Sequence, residues 1–203
     1  MDAATFQGGF DVATYVGGLR NYRSFVRALM DEAATYMSEN GSEYAERLRR
    51  VVSAKGPLVA TIMTEDWCGD SACNLPIIAP LLDAAGIELR VLRGSENDQL
   101  QRLYRDRGDT HIPVISFWRS DFSEAACWIE APELVDERKT AWKRENPRFT
   151  ELYEHQHEDR QAAREFATVY REFLEMMAGW YRDGMWRETM RELAEAVEAA
   201  GRG

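Results

Sequence analysis

The stretch Thr64 to Pro76, TEDWCGDSACNLP, lies between two apolar runs: Leu58-Val59-Ala60-Thr61-Ile62-Met63 before it and the segment from Leu75 to Leu82 after it. A short apolar run, a Gly-Asp turn and a longer apolar segment read as a strand, a tight turn and the first turn of a helix. Cys68 then stands at or just before a helix N-terminus. Unpaired backbone N–H groups and the helix dipole stabilise a thiolate there, which lowers the thiol pKa from its unperturbed value of about 8.5. Local physics alone makes Cys68 a candidate nucleophile.

The run Trp67-Cys68-Gly69-Asp70, followed by Pro76, resembles the active-site turn of the thioredoxin family, in which Trp-Cys-Gly-Pro-Cys opens a helix that a proline later kinks. Ile112-Pro113-Val114 is a second marker, in the place where thioredoxins keep a cis Ile-Pro bond beside the catalytic thiol. Bacterial thioredoxin-like proteins with a WCGDS or WCGDC turn are the more similar group. The resemblance implies a central mixed sheet flanked by helices, an α/β thioredoxin-like fold, and thiol-disulfide chemistry at Cys68 without a bound cofactor.

The departures from that pattern are specific. Ser71 occupies the slot of the resolving cysteine, and the second cysteine is displaced to Cys73. On a helix, residues five apart are rotated by about 140°, with Cα atoms roughly 8–9 Å apart. A disulfide needs Cα atoms within about 7 Å. Cys68 and Cys73 therefore cannot join unless the turn unwinds, and the site reads as monothiol. Ile62 stands where thioredoxin has a buried acid, with Glu65 and Asp66 the nearest acidic replacements.

The 203 residues suit one domain with embellishments, and 45% hydrophobic content supports a sizeable core. A formal net charge of −10 opposes nucleic acid and anionic membranes as partners. No run approaches the roughly 18 apolar residues of a membrane span. The N-terminus lacks the basic and apolar regions of a secretory signal, so a cytoplasmic location is expected. Three cysteines in that compartment favour transient chemistry over structural pairing.

In chain order, residues 1–18 carry two Gly-Gly pairs and read as a partly ordered arm. Apolar residues at three and four spacing predict a helix over 19–37, and Ser42 starts a second that Gly56-Pro57 stops. This helical extension, residues 19–56, precedes a thioredoxin-like core at 58–131. The core is predicted to hold a strand at 58–63, a helix at 71–85, a parallel strand at 87–92, a helix at 95–106 and a hairpin of strands at 114–118 and 126–130. A second helical extension covers 132–200, interrupted at Asn146-Pro147 and turned at Asp183-Gly184. No repeat or linker divides the chain, so the prediction is one domain over 1–203. The dense C-terminal aromatics pack on the sheet or on a twin subunit, which leaves a homodimer open.

Candidate site residues follow from these readings. Ser71 either donates to the Cys68 thiolate or satisfies first-turn N–H groups. Asp70 complements the helix dipole but repels a neighbouring thiolate. Trp67, Gly69, Asp70, Ile112 and Pro113 would shape a surface for an extended substrate. Cys73 is either core or a displaced resolving thiol, and Cys127 in the last strand is expected to be buried and inert. His111 reads as a turn residue. His155 and His157 lack an evident third ligand, so no metal is expected. Two functions remain open: a thiol-disulfide oxidoreductase acting on a protein or low-molecular-weight disulfide, resolved by an external thiol such as glutathione, or a non-catalytic binding module.

Overall fold

The computed structural model describes residues 1–158 and 160–200; Asp159 and residues 201–203, within both the predicted domain and its C-terminal stretch, lie outside the described residues. In chain order the helices and strands are α1 (Ala3–Gly8), α2 (Val12–Gly18), α3 (Arg23–Asn40), α4 (Ser42–Lys55), β1 (Val59–Thr64), α5 (Gly69–Ala85), β2 (Glu88–Arg93), α6 (Asp98–Arg107), β3 (Val114–Trp118) and β4 (Glu124–Ile129). Four more helices follow: α7 (Glu133–Glu145), α8 (Pro147–His155), α9 (Arg160–Trp180) and α10 (Trp186–Ala200). The strands form one mixed sheet in the order β2-β1-β3-β4. β1 pairs parallel with β2 and antiparallel with β3, and β3 pairs antiparallel with β4. This is the α/β thioredoxin-like architecture that the resemblance implied.

Alternation along the strands gives the sheet two apolar faces. Met63, Leu92, Val114 and Trp118 form one core with Leu100 and Tyr104 of α6. Ile62, Ile115 and Phe117 are likewise fully buried and point the other way. Helix α5 is apolar over most of its surface and is covered by α3, α4 and α10 as well as by β2, with Asp83 and Ala84 left exposed. Ile77, Ile78, Leu81 and Leu82 are completely buried in it. Gly86 ends the helix with φ 74°, the left-handed conformation that favours glycine.

The N-terminal residues differ from the expected loose arm. Asp2 and Asp11 accept hydrogen bonds from Thr5 N (2.8 Å) and Thr14 N (2.7 Å) and so cap α1 and α2. Phe10 pairs with Val91 through two backbone hydrogen bonds, closing the β2 edge of the sheet. The Gly-Gly pairs sit at helix ends, while Phe6, Tyr15 and Val16 supply buried anchors. Helix α3 begins at Arg23, four residues later than its periodicity predicts, because Leu19 to Tyr22 form a corner between α2 and α3. Strand β4 begins at Glu124 and stops one residue short of Glu130, which turns out of the strand with φ 65°.

The chain forms two compact units, Met1–Ala131 joined by the chain from Trp186 onward, and Pro132–Met185. Within the second, Trp142, Phe149 and Phe173 meet with ring centroids 4.7–5.2 Å apart. Asn146-Pro147 breaks α7 from α8, and Gly184 (φ 112°) turns the chain before α10, both as the residue types require.

Within the first unit, α10 grips α5 through polar groups. Trp186 Nε1 donates to the Cys73 carbonyl (2.9 Å), and Thr189 Oγ1 donates to Asn74 Oδ1 (2.8 Å), all in buried surroundings. Thr189→Val keeps the volume and loses that bond, so it is expected to cost about 1–3 kcal/mol. Urea denaturation should show a lower midpoint with an unchanged slope.

Candidate functional site

Strand β1 ends at Thr64, and a turn closed by the Cys68 N–H donating to the Glu65 carbonyl (3.0 Å) delivers Cys68 to the start of α5. Cys68 is the N-cap of that helix. Its sulfur accepts a hydrogen bond from Ser71 N (3.4 Å), the place that a serine or aspartate oxygen takes at most helix starts. The thiol in turn faces the Ile112 carbonyl at 3.3 Å. The Ile112-Pro113 bond is cis, and Pro113 is held by Glu130 N donating to its carbonyl (2.7 Å). Two loops distant in sequence thus meet at one sulfur.

Ser71 is buried, and its hydroxyl shares a hydrogen bond with the Thr64 hydroxyl. Gly69 and Asp70 form the first turn of α5, with Gly69 buried and Asp70 half-buried. Trp67 is 58% exposed immediately beside the thiol. Cys73 points elsewhere: it is fully buried, and Trp186 holds its carbonyl. Cys68, Cys73 and Cys127 are all thiols. Cys127 departs from the expected inert burial, being half-buried with Arg107 Nη2 3.0 Å from its sulfur. His111 is exposed, with Nδ1 3.7 Å from Glu130 Oε2.

The expected lowering of the Cys68 pKa is not met. Burial first, and the Asp70 carboxylate second, push the thiol up to about 11; the hydrogen bonds from Ser71 and Thr64 pull the other way and are outweighed. Only 6% of Cys68 is exposed. Its cover is the α2–α3 corner: a cavity of about 10 Å³ beside the sulfur is lined by Tyr15, Leu19 and Tyr22 on one side and by Cys68, Ser71 and Asp66 on the other.

Neither acidic neighbour of the turn is a loose loop residue. The Asp66 side chain is 3% exposed and accepts from Arg20 Nε (2.8 Å) and Arg93 Nε (2.8 Å). Burial raises its pKa, but the two guanidinium groups prevail and hold it below the usual carboxylate value. Glu65 accepts from the Ser95 hydroxyl at 3.2 Å and from Ser95 N. Thr64, Tyr15, Arg20 and Arg93 are site residues that sequence reading missed. Thr64 is the last residue of β1 and precedes the turn, a position from which a hydroxyl could have been weighed; no local pattern marks the other three.

Comparison with known proteins agrees with this architecture. A family model described as Thioredoxin matches residues 23–143, from α3 into α7. A crystal structure of a protein of unknown function from Pseudomonas aeruginosa is similar over 98% of this chain and 99% of its own, with 17% identity and a TM-score of 0.61. An HIV epitope scaffold is similar over 97% of both chains, with 21% identity and a TM-score of 0.59. No curated protein matches. At those identities the solved structures speak for the fold alone, but the match from Arg23 to Lys143 covers more than half of the 203 residues, and on it the chain belongs to the thioredoxin family.

Proposed function

We propose that this protein is a monothiol thiol-disulfide oxidoreductase with Cys68 as its nucleophile. The observation that carries the reading is the seat of the sulfur, between Ser71 N at the start of α5 and the carbonyl of Ile112. As a thiolate, Cys68 would keep the Ser71 N–H and gain from the helix dipole. The Ser71 and Thr64 hydroxyls would hydrogen-bond to the same charge. Trp67, Gly69, Asp70, Ile112 and Pro113 would form the surface against which a protein or low-molecular-weight disulfide lies.

The exchange needs two external thiols. The Cys68 thiolate attacks one sulfur of the substrate disulfide; that S–S bond breaks, the other sulfur leaves as a thiolate, and Cys68 holds a mixed disulfide. A first low-molecular-weight thiolate attacks the Cys68 sulfur and releases the substrate sulfur as a thiolate. A second attacks the new mixed disulfide, leaves as the small disulfide and restores Cys68. Two electrons pass from the two small thiols to the substrate. Cys73 is not suited to resolve the intermediate, because Trp186 and Thr189 hold the helical turn that would have to unwind.

One observation favours the alternative, a non-catalytic binding module: the buried thiol with its raised pKa. One experiment separates the readings. Cys68→Ser is expected to abolish disulfide reduction by glutathione-coupled assay, whereas Cys73→Ser retains most of it; equal loss in both rejects the monothiol route, and no loss in Cys68→Ser leaves the binding module.

The pH profile of Cys68 alkylation tests how strongly burial and Asp70 keep the thiol protonated. Because the folded pKa lies above the unfolded one, the thiol stays protonated through neutrality, and the thiolate fraction grows about tenfold per pH unit until the pKa near 11 is reached. Mass-spectrometric rates should therefore climb without a plateau between pH 7 and 9. A plateau near pH 7 would show a thiolate stabilised well beyond what burial and Asp70 allow.

A further inference from the structure

The corner between α2 and α3 has no counterpart in the chemistry just described, yet it is what covers the sulfur. Tyr15 and Leu19 are 2% and 3% exposed, and together with Tyr22 and Val26 they line the small cavity against Cys68. At about 10 Å³ this cavity is at the lower limit for one water molecule. Neither a disulfide nor a small thiol can reach the sulfur from that side while the corner is in place.

The corner is seated by the buried side chains of Tyr15, Val16 and Leu19, and its polar tie to the Cys68 turn lies at the outer edge. Arg20 donates through Nε (2.8 Å) and more weakly through its backbone N (3.4 Å) to Asp66 Oδ2, two residues before Cys68, and its side chain is 72% exposed. Arg23 Nη2 donates to the Leu19 carbonyl (2.8 Å), a link internal to the corner. Tyr22 sits at φ 57°, the left-handed region that a tyrosine rarely adopts, so contacts and not local preference keep the backbone in this shape. Beneath the corner, Arg93 is fixed: its guanidinium bonds Asp66 Oδ1 (2.8 Å) and lies over the rings of Phe10 (4.8 Å) and Tyr15 (5.4 Å). The Arg93–Asp66 pair is a stationary base, and Arg20 is the part of the network that can let go.

We propose that residues 15–22 form a lid over Cys68, latched by the Arg20–Asp66 ion pair, and that the lid must lift before the thiol reacts. The proposal rests on Cys68 being the thiol that reacts. It accounts for a sulfur seated at a helix start and yet shielded from solvent. In the closed state the thiol is protected; in the open state the cover of Tyr15 and Leu19 is gone, and the thiolate faces water and substrate.

The test is the rate of iodoacetamide modification of Cys68 in the full chain at fixed pH and low salt, with Cys127 followed by mass spectrometry in the same sample. Arg20→Ala removes an ion pair whose arginine is exposed and leaves Asp66 paired with Arg93, so a rate increase of roughly fivefold at Cys68 is expected, with Cys127 unchanged. Raising the salt to about 1 M shortens the screening length to about 3 Å. It should accelerate Cys68 in the unmodified protein and not in Arg20→Ala. Tyr15→Ala, which thins the lid and leaves the Arg20 and Asp66 side chains in place, should also raise the Cys68 rate. An unchanged Cys68 rate in Arg20→Ala, or one rising in step with Cys127, overturns the latch. The readout is alkylation and not disulfide reduction, so loss of the lid proposal is distinguishable from loss of the redox reading, which the Cys68→Ser assay decides.

Discussion

The constraint on which the first unit depends is the burial of most of α5, from Ser71 to Ile78 and again at Leu81 and Leu82. A helix that is apolar over most of its surface cannot rest on a sheet with its other side in water; it must be largely covered, and here β2, α3, α4 and α10 cover it. Helices α3, α4 and α10 are therefore matched to the composition of α5. Ile77, Ile78, Leu81 and Leu82 are fully buried because three outer helices cover them. The same enclosure holds α5 in place by polar contacts, since Trp186 and Thr189 reach the Cys73 carbonyl and the Asn74 side chain.

The site inherits its character from that enclosure. The N-terminus of α5 carries Cys68, and helix α3, which covers α5, begins at the corner that overlies it. Two opposing influences then act on one sulfur. The Ser71 N–H and the hydroxyls of Ser71 and Thr64 favour the thiolate, whereas burial and the Asp70 carboxylate favour the thiol, and the second pair prevails in the closed structure. A helix N-terminus lowers a thiol pKa effectively when water also reaches the charge; the corner withholds the water.

The place of Ser71 follows similar logic. A cysteine there would face Cys68 on the same side of the helix, while Cys73 is turned away by about 140° into the core. The hydroxyl at 71 is instead joined to Thr64, at the end of β1. No helix among the described residues is long and apolar enough to cross a membrane.

Sequence alone determined the strand-turn-helix around Cys68, the parallel pairing of β1 with β2, the β3–β4 hairpin and the breaks at Asn146-Pro147 and Asp183-Gly184. These features rest on period, turn chemistry and the backbone limits of proline and glycine, all of which are local. The convergence of Ile112-Pro113 on Cys68 was legible too, through the family resemblance. Only the tertiary structure decided that residues 1–18 are ordered, that Asp66 binds Arg20 and Arg93, and that Cys68 is covered. Each of those depends on contacts between segments tens of residues apart, and neither the desolvation of a thiol nor the pairing of an aspartate leaves a mark in the residues beside it.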